Sequence, residues 1–394
     1  RQMCIRDRYL AADRFGLRQR AANFALDDVP AATALVHDAG AKAYVTLNAL
    51  MDADDLKALP AYLEALAAAG VDAFIVSDLG ALRLVQRHAP NVELHVSTQA
   101  SVCNAEAARV WHELGASRVV CAREMSVEDI ARLRAGAPRE LELEAFVHGA
   151  MCMAVSGRCL ISAALTGRSG NKGHCTQPCR WSYALVEEQR PGEFFPVEED
   201  VRGTYVMNAQ DLNMLAHLDD LVAAGIDSFK IEGRNKKAFY VASVVRAYRL
   251  ALDGVPSSEL ADELLAVSHR PYGTGFYYGD ARQSPDVDGY TAECRHAATV
   301  EACEPAGEGA FRVIARCYNR FCEGDELEAL SPGPHVPLVR VRNLAWLPAP
   351  DGDDAQPKRV PVAVANRSAE RYAFETGEEL APGDFLRMRI NVER

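Results

Sequence analysis

The stretch AYVTLNALMDADDLKALPAYLEALAAAGVDAFIVSD, residues 43–78, decides the fold, because it reads as a strand, a helix and a second strand. An apolar run of strand length, a longer helical segment and another apolar run are the pattern of a βαβ unit. The alternation continues, with further strand-like runs at 93–99, 118–124, 142–149 and 228–234. Near-continuous apolar strands separated by helices predict an α/β fold with a parallel sheet, either open and doubly wound or closed into a barrel.

Polar side chains end each predicted strand. In an eightfold barrel these strand ends form the active-site face, on which they should converge. Ser77 and Asp78 equally well cap the next helix. Capping explains longer side chains poorly, and we interpret five of them as candidate catalytic residues: Gln99, Arg123, Glu124, His148 and Glu232. Arg234, at the end of the last run, is a candidate substrate-binding residue.

From residue 296 the pattern changes to short strands broken by Gly, Pro and Asp, and helical periodicity disappears. Turn signals this frequent predict a separate small β-barrel or sandwich. We therefore expect two domains. The first, at 1–295, is a barrel-like α/β domain that contains a cysteine segment at 148–185, and the second is a small all-β barrel at 296–394.

Charge and hydropathy limit the function classes. The 394 residues carry a formal net charge of −12, which argues against a protein that coats nucleic acid non-specifically. No apolar run approaches the roughly 18 residues of a membrane span, and charges near the N-terminus are unlike a signal peptide. These features predict a cytoplasmic protein. Its thiols would stay reduced, so clustered cysteines indicate metal binding or catalysis more than disulfides.

Four cysteines of the cysteine segment stand among Gly, Arg and His residues: Cys152, Cys159, Cys175 and Cys179. Four thiolates suit either zinc or an iron–sulfur cluster. Structural zinc sites usually contain a closely spaced pair, and only the last two cysteines are that close, so the spacing favours a cluster. The cysteines at 103, 121, 294, 303, 317 and 322 we interpret as small buried hydrophobes.

Residues 145–186 contain no Asp or Glu but include Arg158, Arg168, Lys172 and Arg180. A solvated loop without function could have this composition. Loops usually carry carboxylates, however, and we favour a site for an anionic ligand. Arg158 and Arg180 are the candidate substrate-binding residues, because guanidinium groups hold carboxylates and phosphates with two parallel hydrogen bonds.

Several motifs together carry a family resemblance. The run FVHGAMCMAVSGRCLIS (146–162), with STQASVCN and RVVCARE before it and SFKIEGR after it, resembles the collagenase-like peptidase family of unassigned catalytic type. The segment at 187–212 is similar to the branch of that family responsible for prephenate-dependent tRNA 5-hydroxyuridine modification.

The resemblance implies a TIM-like barrel followed by a small β-barrel domain. It also implies a 4Fe–4S cluster on the four cysteines of the segment, prephenate as cosubstrate, and hydroxylation of the wobble uridine in the tRNA anticodon loop. Family members begin with a further βα unit, whereas this chain starts near the second strand, at YLAADRFGLR. We expect the first unit to be missing and RQMCIRDR, with Cys4, to be a non-functional extension.

Two alternatives stay open at this stage. The family name indicates a peptidase, but the chain has neither His-Glu-x-x-His nor Gly-x-Ser-x-Gly, and Ala116 stands where His112-Glu113 would need a second histidine. A cysteine nucleophile paired with His148 or His174 would leave the other clustered cysteines unexplained. The second alternative is a related RNA or quinone hydroxylation.

Overall fold

The computed structural model divides the chain into two compact units. The described residues are 7–17, 23–151, 159, 161–181, 184–185, 195–196, 210–233, 236–279, 281, 290–307, 309–348 and 358–390, by backbone alone at 164, 180, 184–185 and 195–196. Unit 1 comprises Arg1–Asn235 and Arg270–Asp288, and unit 2 comprises Lys236–His269 and Gly289–Arg394.

Strands and helices alternate along most of unit 1. Its strands are β1 (Arg8–Leu10), β2 (Ala43–Leu47), β3 (Ala73–Val76), β4 (Glu93–Val96), β5 (Arg118–Val120), β6 (Glu142–Ala150), β7 (Ala184–Leu185), β8 (Phe195–Pro196), β9 (Asp211–Asn213), β10 (Ser228–Ile231) and β11 (Tyr272–Gly273). Its helices are α1 (Val29–Asp38), α2 (Ala53–Ala68), α3 (Leu79–His88), α4 (Ala105–Glu113), α5 (Val127–Gly136), α6 (Ile161–Thr166) and α7 (Leu218–Ala223). Short 3₁₀ turns lie at Leu26–Asp28, Thr98–Ala100, Gly170–Lys172, Pro178–Arg180 and Leu215–His217.

The helices of unit 1 begin where the sequence supplies capping side chains. Asp78 accepts a hydrogen bond from the backbone N–H of Ala81, which confirms capping for this strand-end residue. Ser126 and Asp129 form a reciprocal capping box at the start of α5, as their spacing indicates. Among the described helices, none has both the length and the apolar character required to cross a membrane.

The main sheet of unit 1 confirms the predicted parallel order. Strands β1 to β6 pair in sequence order, and β10 pairs with β6, all of them parallel. All six strand-like runs are strands, and five of these strands end two to four residues before the predicted end of the run. β9 and β11 were not predicted. β9 runs antiparallel to the end of β6 between His148 and Ala150, and β11 pairs with β9.

This sheet is strongly curved. β1 and β10 lie at opposite ends of the parallel series, yet the Lys230 Nζ lies 3.5 Å from the centroid of the Tyr9 ring. Six strand spacings would separate these side chains by roughly 29 Å in a flat sheet. The strands therefore wrap around a common interior.

Unit 2 combines two helices with antiparallel strands. The helices are α8 (Ala238–Leu252) and α9 (Ser257–Leu265). The strands are β12 (Cys294–Gly307), β13 (Ala310–Cys317), β14 (Phe321–Cys322), β15 (Glu326–Leu330), β16 (Leu338–Arg340), β17 (Arg342–Leu347), β18 (Val360–Pro361), β19 (Val364–Ala365), β20 (Arg371–Thr376) and β21 (Phe385–Arg389). An eight-stranded sheet has the order β16-β15-β21-β12-β13-β20-β17-β18, and β14 pairs with β19.

The two helices group with the antiparallel strands through a buried charge cluster. Both terminal nitrogens of Arg387 on β21 donate to Glu263 of α9, at 2.7 and 2.8 Å, and its Nε donates to Glu328 of β15 at 2.8 Å. The sequence analysis assigned residues 236–269 to the first domain, because it divided the chain where helical periodicity ends. That division at residues 295 and 296 stays a prediction about folding domains.

Candidate active site

The carboxyl-terminal rim of unit 1 consists of the last residues of β6 and of the residues up to four positions beyond the ends of β2 to β5 and β10. Hydrogen bonds link these strand ends to one another. The Nδ2 of Asn48, which follows β2, donates to the Oγ of Ser97, which follows β4, at 3.0 Å. The backbone carbonyl of Asn48 accepts from the Ser77 Oγ at 3.2 Å. The Thr98 hydroxyl donates to the carbonyl of Cys121 after β5 at 3.1 Å. Hydrogen bonds therefore join the ends of β2, β3, β4 and β5 into one polar cluster.

Three predicted site residues lie on neighbouring strand ends. The Arg123 Nη1 donates to the carbonyl of Ala150 at 2.8 Å, and its guanidinium carbon lies 3.8 Å from the centroid of the Phe146 ring. The backbone N–H of Glu232 donates to the carbonyl of His148 at 3.0 Å. The buried His148 ring lies 5.3 Å from the Tyr272 ring, centroid to centroid. The structure thus brings Arg123, His148 and Glu232 together.

Gln99 and Glu124 belong to the same rim. Gln99 is half-buried in the 3₁₀ turn after β4, and its backbone N–H donates to the Ser97 Oγ at 3.3 Å. Glu124 is half-buried after β5. Partial burial of the sulfur, together with the Glu124 and Asp129 carboxylates, raises the pKa of the Cys103 thiol, although the residue as a whole is exposed. Cys103 is exposed, so its interpretation as a buried hydrophobe was wrong, whereas Cys121, Cys294 and Cys317 are buried as expected.

Gly149 permits the close approach of β10 to β6 at this rim. Its φ is +111°, a backbone conformation that residues other than glycine rarely adopt, and a Cβ at this position would lie 2.5 Å from the Glu232 carbonyl oxygen. A glycine is therefore required between His148 and Ala150 for Glu232 to take its place beside them.

The cysteine segment attaches to the rim beyond β2. The backbone N–H of Leu50 donates to the carbonyl of Asn171 at 2.8 Å, and the Lys172 Nζ pairs with the Asp52 Oδ2 at 2.5 Å. The hydrogen bond from Lys172, followed by the Asp55 backbone N–H, lowers the pKa of Asp52 to about 2. The segment therefore begins at the end of β6 and returns to the end of β2, on the same side of the sheet.

Side-chain hydrogen bonds order the described part of the segment. The Ser162 Oγ accepts from the backbone N–H of Thr176 at 3.1 Å, which joins α6 to the loop that contains Cys175. The Asn171 Nδ2 donates to the carbonyl of Cys159 at 3.0 Å. The backbone N–H of Gln177 lies 3.4 Å from the Cys175 sulfur and donates to it.

Part of the predicted metal and substrate sites lies outside the described residues, namely Cys152, Arg158, Arg234 and the Arg180 side chain. Cys175 is exposed, while Cys159 and Cys179 are half-buried. Within the described ranges, no group of three His, Cys, Asp or Glu side chains could hold a metal ion. Because that search does not include Cys152, the four-cysteine site stays a prediction.

A buried charge network below the rim was missed by the sequence analysis. The Glu144 carboxylate of β6 is fully buried and accepts from the Lys230 Nζ at 2.9 Å, the Arg118 Nη1 at 3.2 Å, the Ser228 Oγ at 3.0 Å and the Tyr9 hydroxyl. Burial raises the pKa of Glu144, but the Lys230 and Arg118 cations outweigh it and lower this pKa to about 2. The available signal was a carboxylate and an ammonium in the middle of otherwise apolar strands.

Comparisons with known proteins identify the family. The profile of Peptidase family U32 matches residues 5–286. The tRNA hydroxylation protein P of Escherichia coli (strain K12) is 33% identical over 376 residues, which cover 83% of this chain and 82% of that protein. For the tRNA hydroxylation protein P1 of Bacillus subtilis (strain 168), the identity is 32% over 389 residues, 96% of this chain and 89% of that protein.

The 23S rRNA 5-hydroxycytidine C2501 synthase of Escherichia coli (strain K12) is 37% identical over 247 residues, which cover 63% of this chain and 36% of that protein. The profile match spans well over half of the chain, and two relatives exceed 30% identity over most of their length. The resemblance carried by the cysteine-containing motifs is confirmed, and the chain belongs to peptidase family U32, the collagenase-like family.

Proposed function

We propose that this chain is an RNA-modifying hydroxylase that converts the wobble uridine of tRNA to 5-hydroxyuridine in a prephenate-dependent reaction. The observation that carries the proposal is the similarity to two proteins named for tRNA hydroxylation, over most of each chain. The name of a third relative refers to 5-hydroxycytidine in 23S rRNA. Hydroxylation of RNA is therefore common to the names of all three relatives. A tRNA substrate would place the protein in the cytoplasm.

The proposal includes a 4Fe–4S cluster on Cys152, Cys159, Cys175 and Cys179. Replacing the hydrogen on carbon 5 by a hydroxyl is a two-electron oxidation of the base, and such redox chemistry is usually the work of a cofactor. The donor chemistry fits, because cysteine thiolates are the usual ligands of such clusters and the Cys175 sulfur accepts a backbone N–H. When bound, a cluster supplies one-electron transfer.

The rim residues receive roles from their chemistry. Gln99 offers both a donor and an acceptor, which matches the mixed donor and acceptor edge of uracil. His148 is assigned to proton transfer, and Glu124 and Glu232 are assigned to polar contacts with the base. Arg123, whose guanidinium carbon lies 3.8 Å from the centroid of the Phe146 ring, offers a planar cation. Arg158, Arg180 and Arg234 are assigned to the carboxylates of prephenate and to RNA phosphates.

The finer fold also belongs to this proposal. We infer a TIM-like barrel in unit 1 and a small β-barrel in unit 2. The curvature that brings Lys230 onto the Tyr9 ring supports the first part. A barrel delivers the ends of all its parallel strands to one face, which agrees with the polar rim.

The proposal is tested by nucleoside mass spectrometry of bulk tRNA from a host that lacks its own uridine-hydroxylating enzymes. We expect 5-hydroxyuridine to appear when the chain is expressed and to be absent in a host that also cannot make prephenate. Arg158→Ala should lower the yield, whereas Arg340→Ala, which removes an exposed cation on β16, should leave it unchanged. Well-expressed wild-type protein that produces no 5-hydroxyuridine in the prephenate-proficient host would refute the proposal.

A peptidase is the second candidate, because the matching family carries that description. The sequence lacks the metallopeptidase and serine-hydrolase motifs. Incubation of the purified chain with denatured collagen separates the candidates. Cleavage that is lost in Cys175→Ser, without any change in tRNA nucleosides, would favour the peptidase. Hydroxycytidine in rRNA, in place of hydroxyuridine in tRNA, would instead indicate a related RNA hydroxylation.

A further inference from the structure

Two loops of unit 2 lie side by side at one end of its antiparallel strands. One loop, residues 318–320, joins β13 to β14, and the other, residues 366–370, joins β19 to β20. β13 pairs with β20, and β14 pairs with β19. The loops are also linked directly, because the backbone N–H of Ala369 donates to the carbonyl of Cys317 at 2.8 Å. The two loops therefore form one surface.

Tyr318 in the first loop is the outermost ring of a column of three. Its ring stacks on His296 with centroids 4.5 Å apart and an angle of 25°, and His296 stacks on Phe239 at 5.3 Å and 13°. Tyr318 nevertheless retains 42% of its surface exposed. The His296 Nε2 lies 3.0 Å from the Thr299 hydroxyl, and Asn319 donates to the carbonyl of His296 at 2.8 Å. These hydrogen bonds thus hold His296, the middle residue of the column, in place.

The histidine in the column is neutral at physiological pH. Burial lowers the pKa of His296 to about 4, although its hydrogen bond to the Ala298 carbonyl acts in the opposite direction. A neutral imidazole between two aromatic rings gives an uncharged stack. The exposed end of the column is therefore a flat aromatic surface without a charge of its own.

Arg367 in the second loop is a second planar group with an aromatic ring behind it. Its guanidinium carbon lies 3.9 Å from the centroid of the Trp346 ring, and the Trp346 Nε1 donates to Glu370 at 3.5 Å. Arg367 is exposed, and its guanidinium forms no ion pair with the described residues. Arg320 in the first loop is likewise exposed and unpaired within the described ranges. The surface thus combines two planar groups, each with an aromatic ring behind it, with two exposed arginines and one carboxylate, that of Glu370.

We propose that Tyr318 and Arg367 form a stacking platform for unpaired bases of an RNA substrate, with Arg320 contacting the adjacent phosphates. Aromatic rings and guanidinium planes are the groups on which proteins stack splayed bases, and nearby cations follow the backbone. Charge complementarity favours RNA as the occupant, because the two loops carry two exposed arginines, without ion pairs to the described residues, against a single carboxylate. This inference rests on the proposed function and adds an RNA-contacting surface outside unit 1.

The test is the affinity of the purified full chain for two labelled RNAs, measured by fluorescence anisotropy. One RNA is a hairpin with an unpaired loop, and the other is the same stem as a fully paired duplex. Alanine substitution of a side chain that stacks on a base typically weakens binding by about 5-fold to 100-fold. We expect Tyr318→Ala and Arg367→Ala each to weaken hairpin binding by at least about 5-fold, with little change for the duplex.

Matched variants separate stacking from charge and from misfolding. Tyr318→Phe keeps the ring and should bind within about 2-fold of the wild type, and Arg367→Lys keeps the charge but loses the plane, so it should bind like Arg367→Ala. Arg340→Ala removes an exposed cation elsewhere in unit 2 and should leave hairpin binding unchanged. Equal hairpin affinity of Tyr318→Ala and wild type would overturn the platform.

Other results would also overturn it. An equal loss for hairpin and duplex would mean that the surface contributes charge alone, and binding of neither RNA by the wild type would mean that unit 2 offers no RNA surface. The outcome is independent of catalysis, because binding is measured without turnover. Hydroxylation of tRNA with unchanged affinity in Tyr318→Ala would leave the proposed function standing and remove the platform.

Discussion

Replacing Glu144 by glutamine is the sharpest test of the charge network inside unit 1. The substitution keeps the shape of the side chain but removes the negative charge that two cations share, and it turns an NH2 group towards groups that are themselves donors. The Lys230 and Arg118 side chains are only 13% and 8% exposed. The substitution removes the carboxylate partner of Lys230, while Arg118 keeps its ion pair with Glu142. Removing one partner of a buried ion pair costs about 3–5 kcal/mol, so we expect a loss of that size in the free energy of unfolding.

A matched control lies two residues away on the same strand. Glu142 also pairs with Arg118, at 2.7 Å, but its side chain is 51% exposed. Exposed ion pairs contribute about 0–1 kcal/mol, so Glu142→Gln should change stability little. Urea unfolding gives both free energies, and hydrogen exchange of the β6 backbone assigns the loss to unit 1. Equal losses in the two variants would refute the conclusion that burial of Glu144 makes its network strong.

A second substitution checks the partner. Adding Lys230→Met to Glu144→Gln removes the buried cation together with its counter-ion, and replacement of both members of a buried pair is far less costly than removal of one. We therefore expect the double variant to be more stable than the sum of the two single losses predicts, by about 1–3 kcal/mol. Strict additivity would show that the two residues act independently.

Acid should abolish the stability difference between wild type and Glu144→Gln. The pKa of Glu144 is lowered to about 2 in the folded chain, whereas an unfolded glutamate titrates near about 4.3. A depressed folded pKa means that the stabilisation is fully present above the unfolded value and is lost as the pH falls towards 2. Other carboxyl groups titrate in both proteins and cancel in the comparison. A difference that stays constant on acidification would contradict the assigned pKa.

Two further predictions concern the rim and the cysteine segment. Gly149→Ala should lower the free energy of unfolding of unit 1 in urea and the yield of 5-hydroxyuridine, because its Cβ would lie 2.5 Å from the Glu232 carbonyl oxygen. Gly40 is the control: its φ is +69° but the space around it is open, so Gly40→Ala should cost only the backbone strain of about 1 kcal/mol. The chain purified without air should contain iron and sulfide, and Cys175→Ser should lower the content of both. Cys103 is also exposed, but Cys103→Ser should leave iron and sulfide unchanged. Zinc in place of iron in the wild type would count against the cluster.

The parallel sheet could be predicted because its strands are nearly continuous apolar runs, and burial on both faces requires that pattern. The rim could be predicted for a related reason, since polar residues that stop such a run must lie at its end. β9 and β11 could not be predicted in this way. They contain three and two residues, and they exist as strands because β6 and β9 offer them backbone partners.

Long-range pairing explains what else the sequence did not reveal. The amphipathic pattern of α9 shows that one face is buried but not against which element, and the ion pair between Glu263 and Arg387 joins residues far apart in the chain. Glu144 could not be predicted from the strand ends, because it is the third residue of β6. A carboxylate inside an apolar strand must meet a cation from another strand, and here the cation is Lys230 on β10.

Strand β6 links the network and the rim in one geometric argument. Alternation places Glu144 and Phe146 on the same face, and Lys230 contacts both the Glu144 carboxylate and the Phe146 ring. The pairing register of β6 with β10 shifts between Phe146 and His148, so His148 follows an irregularity in the strand. Four residues of strand separate Glu144 from His148 by about 13 Å, with Phe146 and the Arg123 guanidinium between them. The buried charges of the interior are therefore held apart from the residues to which the proposed chemistry is assigned, so we expect Glu144→Gln to change stability more than the proposed modification.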